Sequence, residues 1–273
     1  MQLVQFGILA AFVGAMVVAG RGMVRFARRV AGLTTRLQQA KAPVDVSIQL
    51  PDRIREFALR ADARPDDLAR SISFSQSAEM QLGAGKPWQA FQARQIVACG
   101  EPGFLWQARQ MLWFLPKFQV VDAFVAGQGS LTVRLLGLFR IVHATGPALS
   151  HDEALRYLAE LPLTPDAMLG NPDIKWRALE SDWVEASMLV GEKRAVVRFG
   201  FDVSGDIVEM RADSRATTDN AGSPARYPWL GFFRSYRRVG PRRIPTELEV
   251  GYIRPDGYRA YFQARITGYE AEH

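Results

Sequence analysis

Cysteine occurs once, at Cys99, so the chain can form no internal disulfide and its redox compartment stays open. Cys99 lies just before a turn, without the context of a nucleophile, and reads as a buried thiol. Histidine is almost as scarce. His143 and His151 stand eight residues apart, His273 is terminal, and nothing like HExxH occurs, so no metal is expected. There is no G-x-S-x-G elbow, no P-loop and no dinucleotide fingerprint between a strand and a helix, which removes the usual reasons to expect a cofactor. Glu247 and Glu249 could pass for a carboxylate pair. They share a strand face and read as its solvated side, paired with Arg237 or Arg265. No catalytic residue is nominated.

Acidic residues are nearly missing from the first fifty positions. Asp45 stands alone there against Arg21, Arg25, Arg28, Arg29, Arg36 and Lys41, which places +5 of the net +6 in this segment. The remainder is near neutral and carries no electrostatic footprint for a phosphate backbone, so nucleic acid is not an expected partner.

The basic cluster follows Leu3–Gly20, 18 residues whose only polar side chain is Gln5. As a helix this run is roughly 27 Å long, the thickness of a hydrocarbon core. Met1–Gln5 lacks the positive charge that opens a signal peptide, although Val17-Val18-Ala19 keeps cleavage open. The expectation is a single transmembrane anchor over residues 1–22 and a basic juxtamembrane segment and linker over 23–50. The positive-inside rule puts the domain in the cytoplasm, with export as the alternative. Ala11, Ala15 and Ala19 form a small-residue row, an ordinary feature of such helices. Arg21–Lys41 is either a basic helix lying on anionic headgroups through Val24, Phe26, Val30 and Leu33, or a topology signal plus linker.

Residues 51–273 read as one mainly β (α+β) domain. PDRIREFALRADA predicts a helix near 51–63. Period-two alternation begins at Ser71 and recurs between turn signals up to Gly268, and gives about ten antiparallel strands. Arg215–Arg226 lacks periodicity and reads as a surface loop, and no internal repeat is found. One strong helix, near 151–169, interrupts the strands. Ser150 and Glu153 form a capping box, Leu155, Leu158 and Leu161 follow at helical spacing, and Pro162 stops it. Ten strands make a sheet roughly 48 Å wide. A helix covers a stripe about 10 Å wide, so few helices cannot cover that face. The sheet must curl into a half-barrel with helices over its concave side and leave a hydrophobic pocket.

Trp106, Trp176, Phe199, Phe201 and Phe232 fall on inward strand faces and, with Leu155 and Leu158 of the helix, are the expected cavity lining. Tyr227–Arg243 mixes aromatics with Arg234, Arg237, Arg242 and Arg243, and Gly240-Pro241 makes it a basic hairpin.

MQLGAGKPWQAFQARQ, LTVRLLGLFRIVHATGPALSHDEALRYLAELPLTPDAML, IKW and PWLGFFRSYRRVGPRRIPTELEVGYIRPDG together resemble an uncharacterised bacterial domain family of unknown function, over most of residues 51–270. The family names no activity. More loosely, the architecture is similar to the lipoprotein-carrier half-barrels, curled sheets that shelter acyl chains. The chain departs from those carriers in its anchor, which puts a diffusible role in doubt. The resemblance implies a single-pass protein of the bacterial cytoplasmic membrane. The leading expectation is a membrane-anchored, non-enzymatic domain that takes an apolar ligand, a lipid or acyl chain, and has membrane lipids as its surroundings. A structural protein that docks a membrane partner through its sheet or hairpin 227–243 is the rival. An enzyme on a lipid-like substrate, with polar groups around His143 or His151, comes third.

Overall fold

The structure, a computed structural model, describes residues 20–273 except Ala84, Phe114 and Ser181, and of residues 2–19 and Leu115 no more than the course of the backbone. The anchor expected over residues 1–22 lies outside the described residues up to residue 19. Among the described residues, no helix is long and apolar enough to cross a membrane.

All strands join one antiparallel sheet. The first block is β1 (Ser71–Gln81), β2 (Trp88–Ala98), β3 (Gly103–Leu112), β4 (Leu115–Val125), β5 (Gln128–Leu135) and β6 (Phe139–Thr145). The second is β7 (Lys175–Ala178), β8 (Trp183–Val190), β9 (Lys193–Phe201), β10 (Ile207–Thr218), β11 (Pro224–Val239), β12 (Arg242–Arg254) and β13 (Gly257–Glu272). Their order is β6-β5-β4-β3-β2-β1-β13-β12-β11-β10-β9-β8-β7, so the first and last strands join the two meanders at the centre. The helices are α1 (Gln2–Gln38), α2 (Asp52–Arg60), α3 (Pro147–Ala159) and α4 (Pro165–Gly170). The expected helices near 51–63 and 151–169 are thus present, the second broken into α3, a 3-10 turn over Leu161–Leu163 and α4.

Among the described residues there are thirteen strands rather than about ten. One was hidden because Leu136-Gly137-Leu138 turns the chain between β5 and β6 without a polar turn residue, Leu136 itself adopting φ 53°. The tract Arg215–Arg226 is not a loop. Its ends belong to β10 and β11, closed by Asp219, whose Oδ1 accepts from the N–H groups of Ala221 and Ser223 at 2.8 Å each. That end of β10 is largely solvated, so no apolar alternation marked it.

The curl follows from α3. This helix packs against β4, β5 and β6 on one arm and against β8, β9 and β10 on the other. In a flat sheet β5 and β9 would lie roughly 43 Å apart, whereas a helix is about 10 Å across. Successive residues of α3 reach both arms: Ser150 Oγ accepts from Gly129 N–H on β5 at 2.9 Å, and His151 Nε2 lies 3.3 Å from Arg194 O on β9. A Cβ at Gly129 would sit 2.9 Å from Ser150 Cα, so the close approach of helix and strand needs glycine there. The capping box expected at Ser150 does not form. Pro147, favoured in the first helical turn, starts α3 earlier, and Ser150 Oγ donates to Gly146 O from inside the helix.

The concave interior is packed around Phe74, Phe104, Phe124 and Phe199 of the sheet and Leu155, Tyr157, Leu158 and Leu161, with Ile54 and Phe57 of α2 closing it. Burying each such side chain contributes roughly 1.5–3 kcal/mol. Asp166 of α4 ties the helical layer to the sheet through Arg242 on β12, at 2.6 and 2.8 Å. The convex face carries α1. Phe26, Val30, Leu33 and Leu37 pack on Ile96, Ala98, Leu105, Val121, Ala123 and Val125. Three of the four apolar residues expected to meet headgroups therefore meet the sheet, while Val24 stays half exposed. Strands β2–β4 are in consequence covered on both faces.

Candidate functional site: an apolar trough with one polar floor

Between α3 and the sheet lies a cavity of about 460 Å³, within the range of small-ligand pockets. Both arms build its walls: Met80, Trp106, Val120, Leu131 and Val133 on one, Met210, Trp229, Phe232, Leu248, Val250 and Phe262 on the other. On α3 and the Glu160 that caps its C-terminus, the residues facing it are Leu149, Asp152, Glu153, Arg156, Ala159 and Glu160. These recur every three to four positions and so form one face of the helix. Leu155 and Leu158 lie on the opposite face, in the packed interior.

The sequence expectations divide accordingly. Trp106 and Phe232 line the cavity. Leu155, Leu158, Trp176, Phe199 and Phe201 do not; they belong to the core or pack against its edge, with the Trp176 and Phe199 rings 6.2 Å apart. The helix presents Leu155 and Leu158 to dry core, and its charges together with Leu149 to the trough. The physical reason is that the sheet supplies the guanidinium, carboxylate and amide partners of these charges there, from Arg215, Asp122 and Gln95.

Those partners make a compact network. Arg156 donates from Nη1 to Asp122 Oδ2 at 2.7 Å, from Nε to Glu160 Oε1 at 2.9 Å and from Nη2 to Gln95 Oε1 at 3.3 Å. Its guanidinium lies 4.9 Å from the ring centres of both Phe104 and Trp106. Trp106 Nε1 in turn donates to Gln76 Oε1 at 2.9 Å. Arg215, from β10, stands 4.3 Å over Trp229, donates to Tyr261 Oη at 3.1 Å and lies 4.0 Å from Glu153 Oε1. At the outer end Asp152 pairs with Arg226 at 2.8 Å.

Burial, reinforced by the Asp122 charge, pushes the Glu153 carboxyl up from 4.5 to about 8. Burial also raises Asp122, against the pull of Arg156 and Arg215. For the two arginines burial acts downward, but acidic partners outweigh it for Arg156 and tyrosines followed by acids for Arg215, so both stay firmly charged. With Glu153 protonated, Arg156 and Arg215 balance Asp122 and Glu160, and the patch is neutral. Among the described residues, three of its buried atoms lack a hydrogen-bond partner: Asp122 Oδ1, Glu153 Oε2 and Arg215 Nε. The trough therefore offers apolar walls and one place where a polar end can bond.

The four residues at the centre of this patch, Asp122, Glu153, Arg156 and Arg215, were not singled out from the sequence. A trace of them is legible in HDEALRYLAE, where charges fall at 152, 153, 156 and 160. His143 and His151, the expected polar centres, are used elsewhere; His143 Nδ1 lies 3.1 Å from Thr132 Oγ1. Among the described residues no group of three or more His, Cys, Asp or Glu is placed to hold a metal ion. In the basic hairpin, Arg234 and Arg237 are exposed. Arg242 is buried on Asp166, and Arg243 pairs with Asp206 at 2.7 Å. Of the expected basic surface, Arg242 is thus internal and Arg243, partly exposed, is engaged in an ion pair. Glu247 does pair with Arg265, at 3.1 Å.

No curated protein matches the chain. Among solved structures, it is similar to a LolA superfamily protein from Nitrosomonas europaea, at 6% identity and TM-score 0.42 over 81% of this chain and 94% of that one. A putative outer membrane lipoprotein-sorting protein domain from Vibrio parahaemolyticus aligns at 8% identity and TM-score 0.46, over 82% and 93%. A DUF1329 family protein from Desulfovibrio piger aligns at 9% identity and TM-score 0.43, over 79% and 90%. The sequence blocks that resemble an uncharacterised family all fall within residues 43–264, which match the family of unknown function DUF6544, and the chain belongs to that family.

Proposed function

We propose that this protein is a membrane-anchored, non-enzymatic domain that holds an apolar ligand, a lipid or an acyl chain, in the trough beside α3. The observation that carries the reading is the lining. A cavity of about 460 Å³ is walled mostly by apolar side chains from both arms of the sheet and holds the buried polar cluster of Asp122, Glu153, Arg156 and Arg215 beside α3. An aliphatic chain fits such walls because every methylene removed from water contributes roughly 0.8 kcal/mol. The three unpartnered atoms of Asp122, Glu153 and Arg215 would receive the ligand's polar end and set its direction. The anchor rests on the composition of Leu3–Gly20.

The test is extraction of the full chain from its own membranes in mild detergent, followed by native mass spectrometry. A lipid or acyl-chain adduct is expected, and Val133→Trp, which adds bulk to the wall, should lower its occupancy several-fold. A protein that carries no adduct in either form sinks the reading.

A further inference from the structure

The trough leaves a second apolar feature unexplained. The β1–β2, β3–β4 and β5–β6 hairpins turn at the same end of their half-sheet, as the pairs Gln81 with Trp88, Leu112 with Leu115 and Leu135 with Phe139 require. Adjacent tips lie roughly 10 Å apart, two strand spacings. At these tips large apolar side chains point into solvent: Trp113 is 89% exposed, Leu82 66%, Phe139 58% and Met111 52%, with Trp88 and Leu136 also exposed.

The backbone makes this costlier. Trp113 has φ 58° and Leu136 φ 53°, the left-handed region that glycine or asparagine occupies far more readily. Bulky apolar residues in strained, exposed turns stabilise nothing in the folded domain, and such strain points to function. Charge adds a second signal. The segments 82–88, 109–117 and 134–140 contain Lys86, Arg109, Lys117, Arg134 and Arg140 and no acidic residue.

The third observation is where the chain enters. Arg134 donates from Nη2 to Leu138 O at 2.8 Å and from Nη1 to Gly22 O at 3.4 Å, and its guanidinium lies 4.6 Å from the Phe26 ring centre. One side chain thus clamps α1 to the β5–β6 tip at Gly22, two positions after the apolar run Leu3–Gly20 ends. Arg21, Arg25 and Arg28 are exposed just beyond it.

We infer that this edge of three hairpin tips seats in the interface of an anionic phospholipid bilayer. It rests on the anchor of the proposed function and goes beyond it by assigning the surface that meets the lipid. Tryptophan and aliphatic side chains at the tips with a basic flank beside them are the chemistry such an interface selects. Leu82 belongs both to this edge and to the lining of the trough, so the seated domain opens its cavity towards the acyl chains.

Tryptophan quenching tests this on the full chain reconstituted in vesicles of phosphatidylglycerol and phosphatidylcholine with bromine on the acyl chains. The chain has six tryptophans. Trp88→Phe with Trp113→Phe should remove most of the quenching, and the wild type should quench less in phosphatidylcholine alone. Trp106→Phe with Trp229→Phe reports bromolipid inside the trough instead. Quenching that survives loss of Trp88 and Trp113 overturns the seating while leaving the ligand reading intact. Equal quenching in the two lipid mixtures overturns the anionic assignment. Quenching confined to Trp88 and Trp113 upholds the seating even where the ligand reading fails. Both edge residues are exposed, so the substitutions leave the fold in place.

Discussion

Glu153 lies beside Asp122 on the floor of the trough, and burial together with the Asp122 charge pushes its carboxyl up from 4.5 to about 8. The consequence is a pH dependence of definite sign. Because the folded-state pKa lies above the unfolded one, the group's contribution to stability is fully present below about 4.5 and is lost as pH rises through about 8. Glu153→Gln keeps the shape of the side chain and cannot ionise. Urea unfolding in detergent should show the wild type losing on the order of a few kcal/mol between pH 5 and 9, with the variant flat over that range. Parallel curves would show that Glu153 is already ionised in the folded protein.

The Asp166–Arg242 pair is the second point of stress. Asp166 is fully buried, accepts from Arg242 and also takes the Ala69 N–H at 3.0 Å. Asp166→Ala leaves a buried guanidinium without its carboxylate and an amide without its acceptor, and we expect a loss of about 3–5 kcal/mol. Arg237→Ala, at the exposed end of the same hairpin, should cost under about 0.5 kcal/mol. Comparable losses in thermal unfolding would place Arg242 at the surface with the rest of the hairpin.

The two faces of α3 should separate by substitution. Leu158→Ala opens a hole in the packed interior and should cost about 2–5 kcal/mol without altering ligand occupancy in the folded fraction. Arg156→Met keeps much of the volume but removes the partner of Asp122 and Glu160. It should shift which adducts are retained as well as lower stability. Native mass spectrometry and unfolding on the same samples distinguish these patterns.

Ser150→Ala tests the tie between helix and first arm. Gly129 N–H loses its acceptor, and leaving a buried donor unmade costs about 1–3 kcal/mol. Hydrogen exchange should quicken at Gly129 and Ser130 and stay unchanged at Arg194, on the other arm. Equal quickening on both arms would mean that α3 moves as a unit.

Much of the architecture was legible because it is written in local periodicity. Alternation from Ser71 onward marks strands, and Pro147–Ala159 stands out among them as the lone strong helix of that region. The misses have local causes too. Leu136-Gly137-Leu138 turns the chain without a polar turn residue, and the solvated end of β10 has no apolar face to alternate. By itself the sequence determined a largely antiparallel β domain, its excess of apolar sheet and an apolar run ahead of a basic segment, because each depends on neighbours along the chain.

The site is another matter. Asp122, Glu153, Arg156 and Arg215 come from β4, α3 and β10, and meet only because the sheet curls until its two arms close on one helix. Which side of α3 would face the trough was not decidable from its leucines. It was decided by where Arg215, Gln95 and Asp122 lie in three dimensions, since buried charges go where partners exist. The same holds for Arg242, basic on the page and internal in the fold, and for Arg134, which brings α1 to the hairpin edge. Tertiary structure alone set these relationships, because they join residues far apart in sequence whose pairing no local pattern records.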